Sequence, residues 1–100
     1  MTDKPLVFED FADKVGDVFT ISEDGVPAIA LTLKEATPVD PKLGLPGVRP
    51  PFSLIFVAAG PGVLMQRLYR LKHDRLGEQT IFLVPVGKNN DGVSYQALFN

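Results

Sequence analysis

The stretch QRLYRLKHDRLGEQTIFLVPV, residues 66–86, decides the fold. Its first part, Gln66–His73, alternates: Tyr69 and Leu71 fall on one face, Arg70 and Lys72 on the other. A period of two marks a strand with one buried face. Glu78–Val86 is a second run, long and β-branched. Asp74–Gly77 joins the two and is short enough for a hairpin turn, so the pair is antiparallel. Pro85 lies inside the second run. It has no N–H to give to a ladder, so the strand is expected to bend or break there.

The same pattern extends outward in both directions. Downstream, Val93, Tyr95, Ala97 and Phe99 share one face of a strand Val93–Phe99, after a turn at Gly87–Gly92. Upstream, Phe52–Val57 is apolar on both faces, as in a central strand. Ile29, Leu31 and Leu33 alternate with Ala30, Thr32 and Lys34. Val18–Ser22 precedes them across Asp24-Gly25, a pair that favours the positive φ of a tight hairpin. The N-terminal pattern differs. Phe8, Phe11, Ala12 and Val15 follow helical spacing, with Glu9 and Asp10 in the first turn, where the helix dipole favours acids. Pro5 stands upstream and Gly16 stands where a glycine ends a helix. Two turns of helix are not stable alone, so this one must pack on the sheet.

The fold class expected is mainly all-β. Six strands form an antiparallel meander that closes into a small barrel or a two-layer sandwich, with the short N-terminal helix plugging an open end. Two loops depart from the short-turn pattern. Pro38–Pro51 holds five prolines and two glycines in 14 residues, a length that is either functional or a stiff crossover. Ala58–Met65 holds Gly60-Pro61-Gly62 followed by three apolar residues. Both flank the strand Phe52–Val57, which places Leu43, Leu45, Val48, Val63, Leu64 and Met65 in or near one apolar surface, as a contact or as caps on the core.

Composition sets the outer limits. The 100 residues make one domain, able to bury about 65% of its extended surface without metals or disulfides. No cysteine is present, which removes disulfide frameworks, thiol catalysis and Cys-based zinc sites. The net charge of −2 argues against a generic nucleic-acid binder. The longest apolar run, Leu54–Ala59, is too short to span a bilayer. No signal-peptide h-region is visible in residues 1–10, so the expected compartment is cytoplasmic and no membrane partner is expected.

Catalytic, cofactor and metal chemistry find few groups. His73 is the one histidine, and it reads as a solvent-facing turn residue. Ser22, Ser53 and Ser94 lack a nucleophile elbow. Zinc needs three or four N/S ligands. Lys88–Gly92 lacks the spaced acids and final Glu of a calcium loop, and its Asn, Asp and Gly suit a turn. Gly60-Pro61-Gly62 has no phosphate-binding lysine. No catalytic, cofactor-binding or metal residue is assigned, and no cofactor is expected.

Charge is more informative. Residues 1–50 carry nine acids and five bases; residues 51–100 carry three acids and five bases. Arg67, Arg70, Lys72 and Arg75 fall within nine residues. They form a partner-binding candidate, or half of a head-to-tail contact with the acidic half. The bland reading is a solvated strand face balanced by Glu78 or Glu35. Tyr69 is the one nearby stacking platform, which is too little for nucleic acid.

Several segments together resemble a family of small bacterial domains of unknown function: Phe8–Ala12 with Val15, Gly16 and Phe19, then Arg49–Phe56, Tyr69–Leu71 with His73, Phe82–Gly87, and Tyr95–Asn100. The resemblance covers nearly the whole chain and implies no activity. Such domains accompany phage-tail-like proteins, which implies a role in an assembly. The Pro-rich loop is longer than the connector of the family. The expected function is a non-enzymatic structural or protein-interaction domain, accessory to a phage-tail-like or other multiprotein assembly. Its contact residues would be Arg67, Arg70, Lys72, Arg75, Leu64 and Met65, with a protein partner or a second copy of the chain. The alternative is a small-ligand-binding β-barrel.

Overall fold

A computed structural model describes residues 6–23, 28–39, 51–59 and 62–99. Among them the chain forms α1 (Glu9–Ala12), β1 (Val18–Ile21), β2 (Ile29–Pro38), β3 (Phe52–Ala58), β4 (Arg67–His73), β5 (Gly77–Asn89) and β6 (Gly92–Phe99). All six strands are antiparallel neighbours in one sheet, closed as a barrel in the order β1-β2-β3-β6-β5-β4. The closed form is a barrel, not a sandwich. Within it the strands run as two three-strand meanders, joined where β3 pairs with β6 and where β4 pairs with β1. The expected residues Asp24-Gly25, Leu43, Leu45, Val48 and Gly60-Pro61 lie outside the described residues.

Alternation sorts the side chains. Phe52, Leu54, Phe56 and Ala58 of β3 point inward and are buried, while Ser53, Ile55 and Val57 are half-buried on the outer face. Tyr69, Leu71 and His73 of β4 and Val93, Tyr95 and Ala97 of β6 are likewise buried. Each fully buried Leu, Ile or Phe contributes about 1.5–3 kcal/mol relative to exposure. Two bulges adjust the ladders, one at Lys34 between Leu33 and Glu35, one at Val86 between Pro85 and Gly87. The second is the break that Pro85 demands, since a residue without an N–H cannot continue the ladder.

The helix closes one mouth with Phe11, which is fully buried. Its ring lies 6.2 Å from Phe19 and 5.8 Å from both Phe52 and Phe99, and the last two stack at 4.5 Å. The helix is shorter than its spacing predicts. It ends at Ala12, Lys14 is buried, and Val15 is 49% exposed instead of facing the core. The sheet overrides the helical pattern. Gly16, at φ +96°, turns the chain into β1, and its N–H bonds to the Leu33 carbonyl at 2.7 Å.

The opposite mouth is closed by the segment before β4. The Tyr95 hydroxyl accepts from the Leu64 N–H at 2.8 Å, and the Tyr69 hydroxyl donates to the Met65 carbonyl at 2.6 Å. Buried hydroxyls need such partners, so the two tyrosines tie this segment over the core. The β5–β6 connection is tighter than expected: β5 runs to Asn89, whose Oδ1 accepts from the Asp91 N–H at 2.8 Å. That is the turn chemistry that Asn and Asp supply. Gly92 follows at φ +130°, and a Cβ there would meet the carbonyl of Ala58. The glycine is required by backbone approaching backbone.

Candidate interaction surfaces

His73 corrects its own reading as a solvent-facing residue. It ends β4 pointing inward and is 5% exposed, with its ring 4.6 Å from that of Phe19. Alternation along β4 puts it on the face of Tyr69 and Leu71. Its Nδ1 accepts from the N–H groups of Arg75 (3.1 Å) and Leu76 (3.2 Å). The proton therefore sits on Nε2, which donates to Asp17 Oδ2 at 2.9 Å. Arg75 Nη2 reaches the same oxygen at 3.3 Å, and its Nη1 lies 3.9 Å from Asp13 Oδ2. The His73 hydrogen bond, then that of Arg75, holds the Asp17 carboxyl below its ordinary value, with burial opposing. Both ring nitrogens are engaged in holding the β4–β5 turn against the start of β1.

The basic strand meets acids of the same chain. Arg67 Nη2 bonds to Glu23 Oε1 at 2.6 Å, and the Arg70 backbone N–H bonds to Glu23 Oε2 at 2.7 Å. The Arg67 contact first, and the Arg70 amide second, lower the Glu23 pKa. Arg67 also lies 4.0 Å over the Tyr69 ring. The acidic and basic halves of the sequence are thus joined inside one molecule, through Glu23 to Arg67 and through Asp13 and Asp17 to Arg75. Glu78 stands opposite Lys72 in register, as the bland reading has it; Glu35 stands beside Ile55 on β3, away from β4. Arg70 and Lys72 line an open hollow of about 470 Å³ with Thr20, Ser22, Glu23 and Glu78.

The apolar loop residues separate. Leu64 is half-buried on the core, whereas Val63 and Met65 are exposed, Met65 at 78%. Val63 and Leu64 line an apolar hollow of about 260 Å³ with Ile29, Ala58 and Tyr95. Among the described residues no group of three His, Cys, Asp or Glu side chains is placed to hold a metal ion. No helix among them is long and apolar enough to cross a membrane.

Sequence reasoning missed the most distinctive surface. The outer faces of three adjacent strands carry Phe82, Val84 and Val86 on β5, Ser94, Gln96 and Leu98 on β6, and Ser53, Ile55 and Val57 on β3. Val84 pairs with Gln96, which pairs with Ile55; Leu98 pairs with Ser53, and Ser94 with Val57. None of the nine is charged, in a chain of 22% charged residues. Phe82, Val86 and Leu98 are each about half exposed, and Leu68, opposite Phe82, extends the patch onto β4. The signal lay in the alternate positions of three strands already recognised, once their inward faces are known.

No curated protein and no solved structure matches the chain. A family model described as a domain of unknown function, DUF6916, matches residues 6–99, so with its helix, six strands and both closed mouths the chain belongs to that family.

Proposed function

We propose that this is a non-enzymatic protein-interaction domain of a bacterial, cytoplasmic, phage-tail-like or other multiprotein assembly. The observation that carries this reading is the charge-free patch of the outer face formed by Phe82–Val86 of β5 with β6 and β3. Depletion of charge with retained aromatic and aliphatic side chains characterises the buried centre of protein interfaces. A matching partner surface is also uncharged, since a charge buried there would find no counter-charge. The engaged ring of His73 supports the non-enzymatic part. The resemblance described above supports the assembly. The ligand-binding alternative is less favoured: the apolar hollow of about 260 Å³ falls below the about 300–1,000 Å³ usual for ligand sites.

The test is co-purification of the tagged chain from native lysate, beside sedimentation of the pure chain at rising concentration. A stoichiometric partner, or self-association, that is lost in Phe82→Glu and Leu98→Glu but kept in Val18→Glu, on the exposed side of β1 away from β3, β5 and β6, supports the reading. A partner retained by all three variants would refute the face. A monomeric chain with no companion would refute the interaction role.

A further inference from the structure

At the Asp17 end of the seam between β1 and β4 the backbone ladder stops and one side chain takes over. The last register pair there is Thr20–Lys72. Beyond it, among the described residues, Phe19 and Val18 pair with Leu31 and Thr32 of β2, while His73 pairs with Gly77 of β5. The His73 ring bridges the two sides. It lies 4.6 Å from the Phe19 ring, and its Nε2 donates to Asp17 Oδ2 at 2.9 Å. Its Nδ1 accepts from the main-chain N–H groups of Arg75 and Leu76 at 3.1 and 3.2 Å. One buried imidazole thus holds the β4–β5 turn to the start of β1.

We propose that His73 is an acid-operated latch: on taking a second proton its ring releases the β4–β5 turn, Asp74–Leu76, and keeps Asp17. Histidine is the side chain whose charge changes nearest neutrality. A doubly protonated ring donates from both nitrogens and accepts at neither. The Nε2 side suits that change, because Asp17 is an acceptor and its bond becomes charge-assisted. The Nδ1 side does not, because both of its partners are N–H donors. Turning the ring over exchanges the nitrogens and leaves the same conflict. The two bonds to the turn must therefore break. Charge pushes the same way. Arg75 shares Asp17 Oδ2 with the ring at 3.3 Å, so a positive imidazolium faces its guanidinium. Asp17 stays ionised to hold the ring, its pKa lowered by His73 and then by Arg75. Asp13, at the end of α1, lies 3.9 Å from Arg75 and is paired with Lys14. Lys72 and Glu78 stand opposite each other on the outer face, away from the ring. Asp74 joins Asp17, Val18, His73 and Arg75 around an open hollow of about 320 Å³, which gives the turn room to move. Leu76 packs on the core in the latched form and loses that contact when the turn leaves. The latch is separate from the charge-free face, and neither reading depends on the other.

The test is a pH titration of the full isotope-labelled chain by NMR, following the imidazole nitrogens and the amide protection factors, which are corrected for the intrinsic pH dependence of exchange. As the ring takes its second proton, protection of Arg75 and Leu76 should fall at least about tenfold with the same midpoint. Tyr69 and Leu71, whose amides face β5, should keep theirs. His73→Phe keeps a ring against Phe19 and offers no acceptor, so the same two amides should be weakly protected at every pH and should not respond to acid. Unchanged protection of Arg75 and Leu76 across the ring's titration would overturn the proposal. Loss at Tyr69 and Leu71 with the same midpoint would overturn it too, since the whole barrel would then be unfolding. So would an acid response of Arg75 and Leu76 that survives in His73→Phe, which would assign it to Asp13, Asp17 or Asp74. The titration of the unaltered chain decides the matter even if His73→Phe does not fold.

Discussion

Replacing Gly92 by alanine tests whether the barrel depends on backbone meeting backbone at the start of β6. Two costs add. At φ +130° an L-residue is strained by about 1–3 kcal/mol. The new Cβ would also run into the Ala58 carbonyl oxygen, 2.8 Å from the Ala58 carbon and 3.0 Å from the Ala59 Cα. These are main-chain atoms at the β3–β6 junction, where Ala58 pairs with Val93, so no rotamer change relieves them. Forced displacement in a packed interior costs about 1–3 kcal/mol. The expected sum is about 2–6 kcal/mol, a large part of the about 5–15 kcal/mol that holds a domain together. Gly77→Ala is the matched control. Its φ is +78° and nothing lies within 4 Å of the added methyl, so it should lose only about 1 kcal/mol. With a urea m-value of about 1.5 kcal/mol/M, the midpoint should fall by about 1.5–4 M in Gly92→Ala and by under about 1 M in Gly77→Ala. Equal midpoints in the two variants would refute the close-approach argument.

Three further outcomes follow from the same geometry. Phe11→Ala should cost about 3–5 kcal/mol in urea unfolding, because a fully buried ring packed on Phe19, Phe52 and Phe99 leaves a cavity at the helix mouth. Tyr95→Phe removes the acceptor for the Leu64 N–H; stability should drop by about 1 kcal/mol and the Leu64 amide should exchange faster. Asp17 has a lowered pKa in the folded chain, so its contribution is present above the ordinary value of 3.8 and is lost as pH falls through the folded value. The urea midpoint should therefore decline on acidification below about pH 4, and Asp17→Asn should flatten that part of the profile while lowering the neutral-pH midpoint.

What could be read from the sequence was local. Tyr69, Leu71 and His73 share a face by alternation, Pro85 predicts a break, and Asp74–Gly77 predicts a hairpin; each depends on residues a few positions apart. The joins between β3 and β6 and between β1 and β4 link residues 35 to 52 positions apart, and no spacing encodes them. Val15 misled because its helical spacing continues past Ala12, where the helix ends before Gly16 turns the chain toward Leu33. His73 misled because a turn-adjacent polar residue is usually solvated, and its partner Asp17 lies 56 positions away. The basic cluster was visible, but Glu23 as its internal counter-charge was not, for the same reason of distance. The outer face of β5, β6 and β3 was hidden in plain alternation: Phe82, Val84 and Leu98 look like core residues until Ile81, Leu83 and Ala97 are seen to fill the interior.

The most direct test of the interaction reading is hydroxyl-radical footprinting of the chain alone and in the complex purified with it. Phe82 on the outer face and Met65 at the barrel mouth are both exposed in the isolated chain and report on two different surfaces. The account predicts that labelling of Phe82 falls sharply in the complex while labelling of Met65 does not change. Unchanged Phe82 labelling with protected Met65 would move the contact to the mouth and contradict the assignment of the charge-free face.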